Sequence, residues 1–158
     1  MSMNNTLMMA PSLLVLYTKF QTEMLKANIP FMLTCVARTP EMQKALYAQG
    51  RDDLATVNIL RLAVGQAAIT DAQNKKVTWT LSSKHVVNPT SSDPDQRLSH
   101  AFDIALTQHG QPNWDLGLIL PGNPKPAYER AADIGKLVGL NPGYFWNTKD
   151  PCHYQIGV

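Results

Sequence analysis

A single α+β domain is the fold class this sequence predicts, and three observations lead to it. The 158 residues, 44% apolar and 16% charged, suffice to bury one core without disulfide or metal support. Segments with the 3.6-residue helical period occur beside short runs of β-forming residues. No repeat, low-complexity tract or linker interrupts the chain, so one domain spanning 1–158 accounts for all of it.

The elements follow in order. Between Pro11 and Asn28, Leu13, Leu16, Tyr17, Phe20, Met24 and Leu25 recur near the helical period and predict an amphipathic helix. Ile29 to Val36, mostly apolar and broken only by Pro30 near its start, predicts a strand that enters the site. Thr39-Pro40-Glu41 is a helix start, with an N-cap, a proline at the first helical position and an acid near the positive end of the dipole. That helix runs to about Gln49 and stops at Gly50. A second runs from about Asp52 to Ile69, with Leu54, Val57, Leu60, Val64 and Ala68 on one face. Asn74 marks a turn, and Val77 to Leu81 is rich enough in β-formers to predict a strand. Val86 to Leu98, with Pro89, Ser91, Ser92, Asp93, Pro94 and Asp95, reads as a polar loop. His100 to Leu106 predicts a strand, Pro121 to Pro126 a loop, Ala127 to Val138 a helix and Cys152 to Val158 a terminal strand.

Composition excludes several functions. A formal charge of +2, without a basic run or an aromatic stacking array, argues against a nucleic-acid partner. The apolar N-terminal stretch Leu7 to Tyr17 is interrupted by Pro11 and preceded by no Lys or Arg, so neither a secretory signal nor a membrane span is expected. Two cysteines make no disulfide framework. Cys35, in an apolar stretch, reads as a small core residue, and Cys152 points away from the face of its neighbour His153.

Chemistry concentrates in three places. Asp150-Pro151-Cys152-His153 sets a carboxylate three residues before an imidazole that opens a β-like stretch. Ser83-Lys84-His85 places a serine and a histidine on one side of an extended chain. Asp103 interrupts the apolar run Ala101-Phe102-Asp103-Ile104-Ala105, a costly position unless the carboxylate is paired or binds a cation. Alternation sets Asp103 with Ala101 and Ala105 and sends His100 to the opposite face. His85, Asp103 and His153 are therefore the candidate metal ligands, the minimal set for a catalytic zinc (Zn2+) that keeps a fourth position for water. Asp150 is left as the candidate general base. Taken alone, His85 also suits a plain loop residue and Asp150 a surface carboxylate. Arg38, at a strand end before the helix carrying Gln43, suits either oxyanion stabilisation, capture of a substrate carboxylate, or a simple ion pair. Ser83 is a candidate supporting or substrate-contacting residue. His109 reads as a surface loop residue, and Asp93 and Asp95 as part of a solvated loop rather than a calcium site.

These motifs resemble the VanY-like, or LAS-type, zinc peptidases of peptidoglycan. The segments that carry the resemblance are Ala37-Arg38-Thr39-Pro40-Glu41-Met42-Gln43 with Leu46-Tyr47-Ala48-Gln49-Gly50-Arg51, then Ser83-Lys84-His85, Ser99-His100-Ala101-Phe102-Asp103-Ile104, and Trp146 with Asp150-Pro151-Cys152-His153-Tyr154. Two features depart from the family pattern: Ser99 stands for the usual glycine, and the Val86–Leu98 stretch lengthens the interval between His85 and Asp103. The resemblance implies a small antiparallel sheet carrying zinc on His85, Asp103 and His153. It makes Asp150 the base, Arg38 the oxyanion stabiliser, and Ser83 and Gln43 supporting residues. The endolysin branch is the nearest in pattern. It implies an L-alanyl-D-glutamate endopeptidase of phage origin that acts as a monomer on the peptidoglycan stem peptide. Such an enzyme is made in the cytoplasm of a Gram-negative host and released to the wall by a holin-type pore. A D-Ala-D-Ala carboxypeptidase or dipeptidase would use the same metal set and need a cation for the terminal carboxylate, with Lys84 and Arg97 as candidates. A non-catalytic wall-binding module would need a fourth tight protein ligand such as Cys152 or His100.

Overall fold

A computed structural model describes residues 3–157. Its architecture is α+β: four helices of two or more turns around one small antiparallel sheet. The first helix, α1 (Pro11–Lys26), starts with proline at its first position and buries Leu13, Tyr17, Phe20 and Met24, a stripe at the helical period. Leu25, assigned from sequence to the same face, is instead 78% exposed. Strand β1 (Phe31–Cys35) follows. Helix α2 (Pro40–Ala48) begins as expected, with Thr39 Oγ1 accepting from the Met42 N–H at 3.1 Å.

Helix α3 (Leu54–Ala63) is shorter than its pattern suggested. It turns at Val64–Gly65, Gly65 adopts φ +75°, and Ala68 lies exposed on the chain beyond. Strand β2 (Ala101–Gln108) and strand β3 (Gln111–Asn113) form a hairpin through His109 and Gly110, both at positive φ. Helix α4 (Ala127–Val138) leads into β4 (Asn141–Pro142), and β5 (His153–Gln155) lies near the end. The terminal strand is thus three residues long rather than seven. Val158 falls outside the described residues.

Val77–Leu81 forms no strand, which corrects the sequence expectation. The carbonyls of Thr78 and Thr80 are taken by the side chains of Arg51 (3.1 Å) and Gln43 (2.7 Å) rather than by a neighbouring strand, and the chain bends at Trp79. β-propensity here serves an extended wall, not a ladder.

The sheet runs β1–β2–β5–β4, all pairs antiparallel, with β3 on β2. Strand β2 is central: Asp103 faces Cys35 of β1 across one edge and His153 of β5 across the other. One sheet face is the core, where Tyr17 and Phe20 of α1 meet Phe102 and Tyr154, whose rings stack at 5.3 Å. The period-two alternation sends Cys35, Asp103 and His153 to the other face.

Packing of α4 against this core leaves no room at Gly135. A Cβ there would stand 2.7 Å from Cε1 of the buried Tyr154 and 3.1 Å from Pro142. Gly135→Ala is expected to lose about 1–2 kcal/mol of stability, since overpacking outweighs the helix-propensity gain of roughly 1 kcal/mol. A lowered urea midpoint with an unchanged m-value checks this.

Candidate active site

The face opposite the core opens into a cleft of about 500 Å³ that contains every sequence-assigned site residue except Gln43. His85 is reached by an unexpected route. Ser83 and His85 do not lie on an extended chain. Lys84 and His85 form a turn, in which Val86 N–H donates to the Ser83 carbonyl at 3.0 Å and the His85 N–H reaches Ser83 Oγ at 3.3 Å. Arg38 and Val86 then pair as an isolated parallel bridge, with Arg38 N–H on the His85 carbonyl at 2.8 Å. This locks His85 beside the end of β1.

Three acceptor atoms converge. His85 Nε2 lies 2.9 Å from Asp103 Oδ1 and 3.1 Å from His153 Nδ1, and His153 Nδ1 lies 3.0 Å from Asp103 Oδ1. The outer nitrogens fix the tautomers. His85 Nδ1–H donates to the Val36 carbonyl at 2.9 Å, and His153 Nε2–H donates to Gln155 Oε1 at 3.0 Å. Both imidazoles therefore aim lone pairs at one point beside a carboxylate oxygen. Such a cluster needs a cation, either a proton or a metal. Tetrahedral zinc, with bonds of about 2.0–2.1 Å, spaces its ligands roughly 3.3 Å apart, a few tenths more than this triangle. The donor set fits a divalent transition metal, and Val36 and Gln155 supply the outer contacts such ligands require.

Electrostatics agree. Burial alone would depress the His85 imidazolium, but the Asp103 carboxylate outweighs it and raises its pKa to about 10. Burial opposes ionisation of Asp103, yet His85 and His153 hold it well below the usual carboxylate range. Arg38 Nη2 adds an ion pair to Asp103 Oδ2 at 2.9 Å.

Arg38 is thus tied to Asp103, and Gln43 explains how it is held. Gln43, 1% exposed, accepts from Arg38 Nη1 at 3.1 Å and donates to Thr78 Oγ1 at 3.0 Å and to the Thr80 carbonyl at 2.7 Å. Gln43 therefore joins α2, the arginine and the 77–81 wall without lining the cleft. Gln43→Leu strands the Thr80 carbonyl and an arginine N–H, and a stability loss of roughly 2–4 kcal/mol is expected in chemical denaturation.

Asp150 lines the cleft near His153. Burial, then the nearby Asp103 charge, raises its pKa, partly offset by His153, His85 and Arg38. Its N–H donates to the Gly143 carbonyl at 2.9 Å, and its carbonyl accepts from His153 N–H at 3.1 Å, so the two residues share one turn. Trp146 packs on the His153 ring at 5.1 Å.

Other residues fall as follows. His100 is kept from the centre and pairs with Asp95 at 3.1 Å. His109 is an exposed turn residue. Asp93 caps the short turn at 94–97, so neither aspartate is arranged around a cation. The 86–98 stretch contributes nothing to the cleft wall and borders a separate depression. The Cys152 thiol, pushed up to about 12 by burial and by the charges of Asp150 and Asp103, remains protonated.

Two contributions were missed from sequence. Cys35 is buried as expected, yet its Sγ lies with the His85 and Asp103 ligand atoms inside a 4.8 Å group. Cys35, His85 and Asp103 thus make a second, looser candidate set, and His153, whose Nδ1 lies 3.0 Å from Asp103 Oδ1, offers the tighter third atom. Only the cross-strand register of Cys35 with Asp103 reveals this. Ser99, standing where a glycine was expected, is fully buried, and its Oγ lies 2.6 Å from the Val36 carbonyl that orients His85.

No family model matches the chain, and no curated protein matches it in sequence. Among solved structures, the crystal structure of the Serratia marcescens L-Ala D-Glu endopeptidase ChiX is similar, with a TM-score of 0.56 at 16% identity, over 95% of this chain and 81% of that one. At that identity the likeness is one of fold.

Proposed function

We propose that the cleft is the active site of a zinc-dependent peptidoglycan peptidase that hydrolyses the L-alanyl-D-glutamate bond of the stem peptide. The observation that carries this reading is the triangle of His85, Asp103 and His153 with a separate buried carboxylate, Asp150, beside it. The fold shared with an L-Ala D-Glu endopeptidase supports it.

A zinc ion held by the three ligands would supply Lewis acidity and a water acidified toward neutrality. The protein does the rest. Asp150, its basicity raised by burial, accepts a proton from the attacking water and returns it to the departing amine. Arg38, which lines the cleft, keeps N–H donors beyond those bound to Asp103 and Gln43, and one of these would stabilise the oxygen on which charge develops. Ser83 shapes the turn that delivers His85.

An endolysin role extends the same reading: a monomer that reaches the wall through a holin-type pore. Among the described residues, no helix is long and apolar enough to cross a membrane.

The test is mass spectrometry of Gram-negative peptidoglycan digested with zinc-loaded protein. New stem peptides beginning at D-Glu, with L-Ala left on the glycan, are expected. Release of terminal D-Ala alone would move the protein to the carboxypeptidase branch, and no cleavage would leave a binding module.

A further inference from the structure

The cleft holds one cation with no task. Arg38 is engaged by Asp103 and Gln43, and the two imidazoles face each other. Lys84 lines the same cleft, its side chain is exposed, and among the described residues no hydrogen bond or ion pair claims its ammonium.

Its backbone, by contrast, is fixed. The Lys84 carbonyl accepts from His100 N–H at 3.0 Å and from Ser99 Oγ at 3.3 Å, and the next residue is His85. Nζ lies by the chain leaving β5, 4.0 Å from where a Cβ on Gly157 would stand. Lys84 borders both this cleft and the depression beside the 86–98 stretch, and a free ammonium on a fixed backbone there is available to an anion. Arg97 does not compete: its Nε donates to the Ser91 carbonyl at 2.6 Å, outside the cleft.

We infer that Lys84 is a specificity-determining residue that pairs with a free carboxylate of the stem peptide beside the scissile bond. This rests on the peptidase reading above. Two carboxylates carry that chemistry, the α-carboxylate of the γ-linked D-glutamate and the side-chain carboxylate of diaminopimelate. Amidation neutralises either one at nearly constant size, so the charge can be tested apart from shape.

Synthetic L-Ala-γ-D-Glu-diaminopimelate peptides, with the terminal α-carboxyl of diaminopimelate blocked as an amide throughout and the other two carboxyls free or amidated one at a time, would be assayed with wild type, Lys84→Met, Lys84→Arg and Arg97→Met. An exposed charge pair is modest, so wild type is expected to prefer the free acid by three- to tenfold in kcat/KM for one of the two amidations. The position that matters identifies the carboxylate. Lys84→Met should erase that preference through KM with kcat little changed, whereas Lys84→Arg and Arg97→Met should keep it. A preference that survives in Lys84→Met, or a wild type indifferent to both amidations, overturns the inference. If no peptide is cut at the L-Ala–D-Glu bond, the peptidase reading fails instead. Calorimetric titration of the same peptides then decides Lys84 separately: tighter binding of the free acid by wild type alone supports it, and equal affinities reject it.

Discussion

Asp150→Ala should bind one metal ion per chain as wild type does and yet lose turnover by about 10²–10⁴-fold, the usual contribution of a positioned general base. The geometry separates the two properties. Asp150 makes no edge of the ligand triangle, whose three sides are spanned by His85, Asp103 and His153. The substitution keeps the Cβ that packs by Gly143 and the main-chain bonds that seat His153, so the ligand geometry survives. Metal content by inductively coupled plasma spectrometry, read beside stem-peptide hydrolysis, checks this. Loss of metal would mean Asp150 is a ligand, and retained turnover would mean the base lies elsewhere. His153→Ala, the contrasting variant, should lose both.

Chelation should destabilise the protein as well as silence it. Without a metal, the buried cluster holds a proton: His85 is raised to about 10 and Asp103 is depressed. The signs follow from those directions. The raised imidazole contributes stability that is complete below its unfolded value near 6.5 and disappears as pH climbs through about 10. The depressed carboxylate contributes above its unfolded value near 3.9 and fades as pH falls. A metal must displace the His85 proton, so its affinity should rise with pH, by up to about tenfold per unit below 10. Metal at about a thousand times its Kd should add about 4 kcal/mol to the folded state. Thermal melts with zinc or chelator across pH 6–9 would show this, and a melting temperature indifferent to both would sink the metal assignment.

Much of this site is written locally in the chain. Asp103 betrays itself as a charge in an apolar strand, and Thr39-Pro40-Glu41 starts α2 with the expected cap. His153 opens β5 as its pattern suggested. What stayed hidden depends on partners distant in sequence. Cys35 looks like any small core residue until β1 and β2 align it with Asp103. Gln43 and Arg51 capture the carbonyls of Thr78 and Thr80, and that tertiary capture overrides the strand propensity of Val77–Leu81. The turn at Lys84–His85 likewise follows from the bridge to Arg38, which no local pattern announces. Strand β4, at two residues, carries too little periodicity to be read at all.

The wall at 77–82 invites a different kind of experiment. It borders the cleft, yet it is pinned by side chains of Gln43 and Arg51 and belongs to no ladder of the sheet. Val77, Trp79 and Leu81 are each more than half exposed, so changing them disturbs no core. A graft that preserves Thr78 and Thr80 is therefore expected to remodel the cleft wall as an interchangeable cassette, while the strands that carry Asp103 and His153 stay in register.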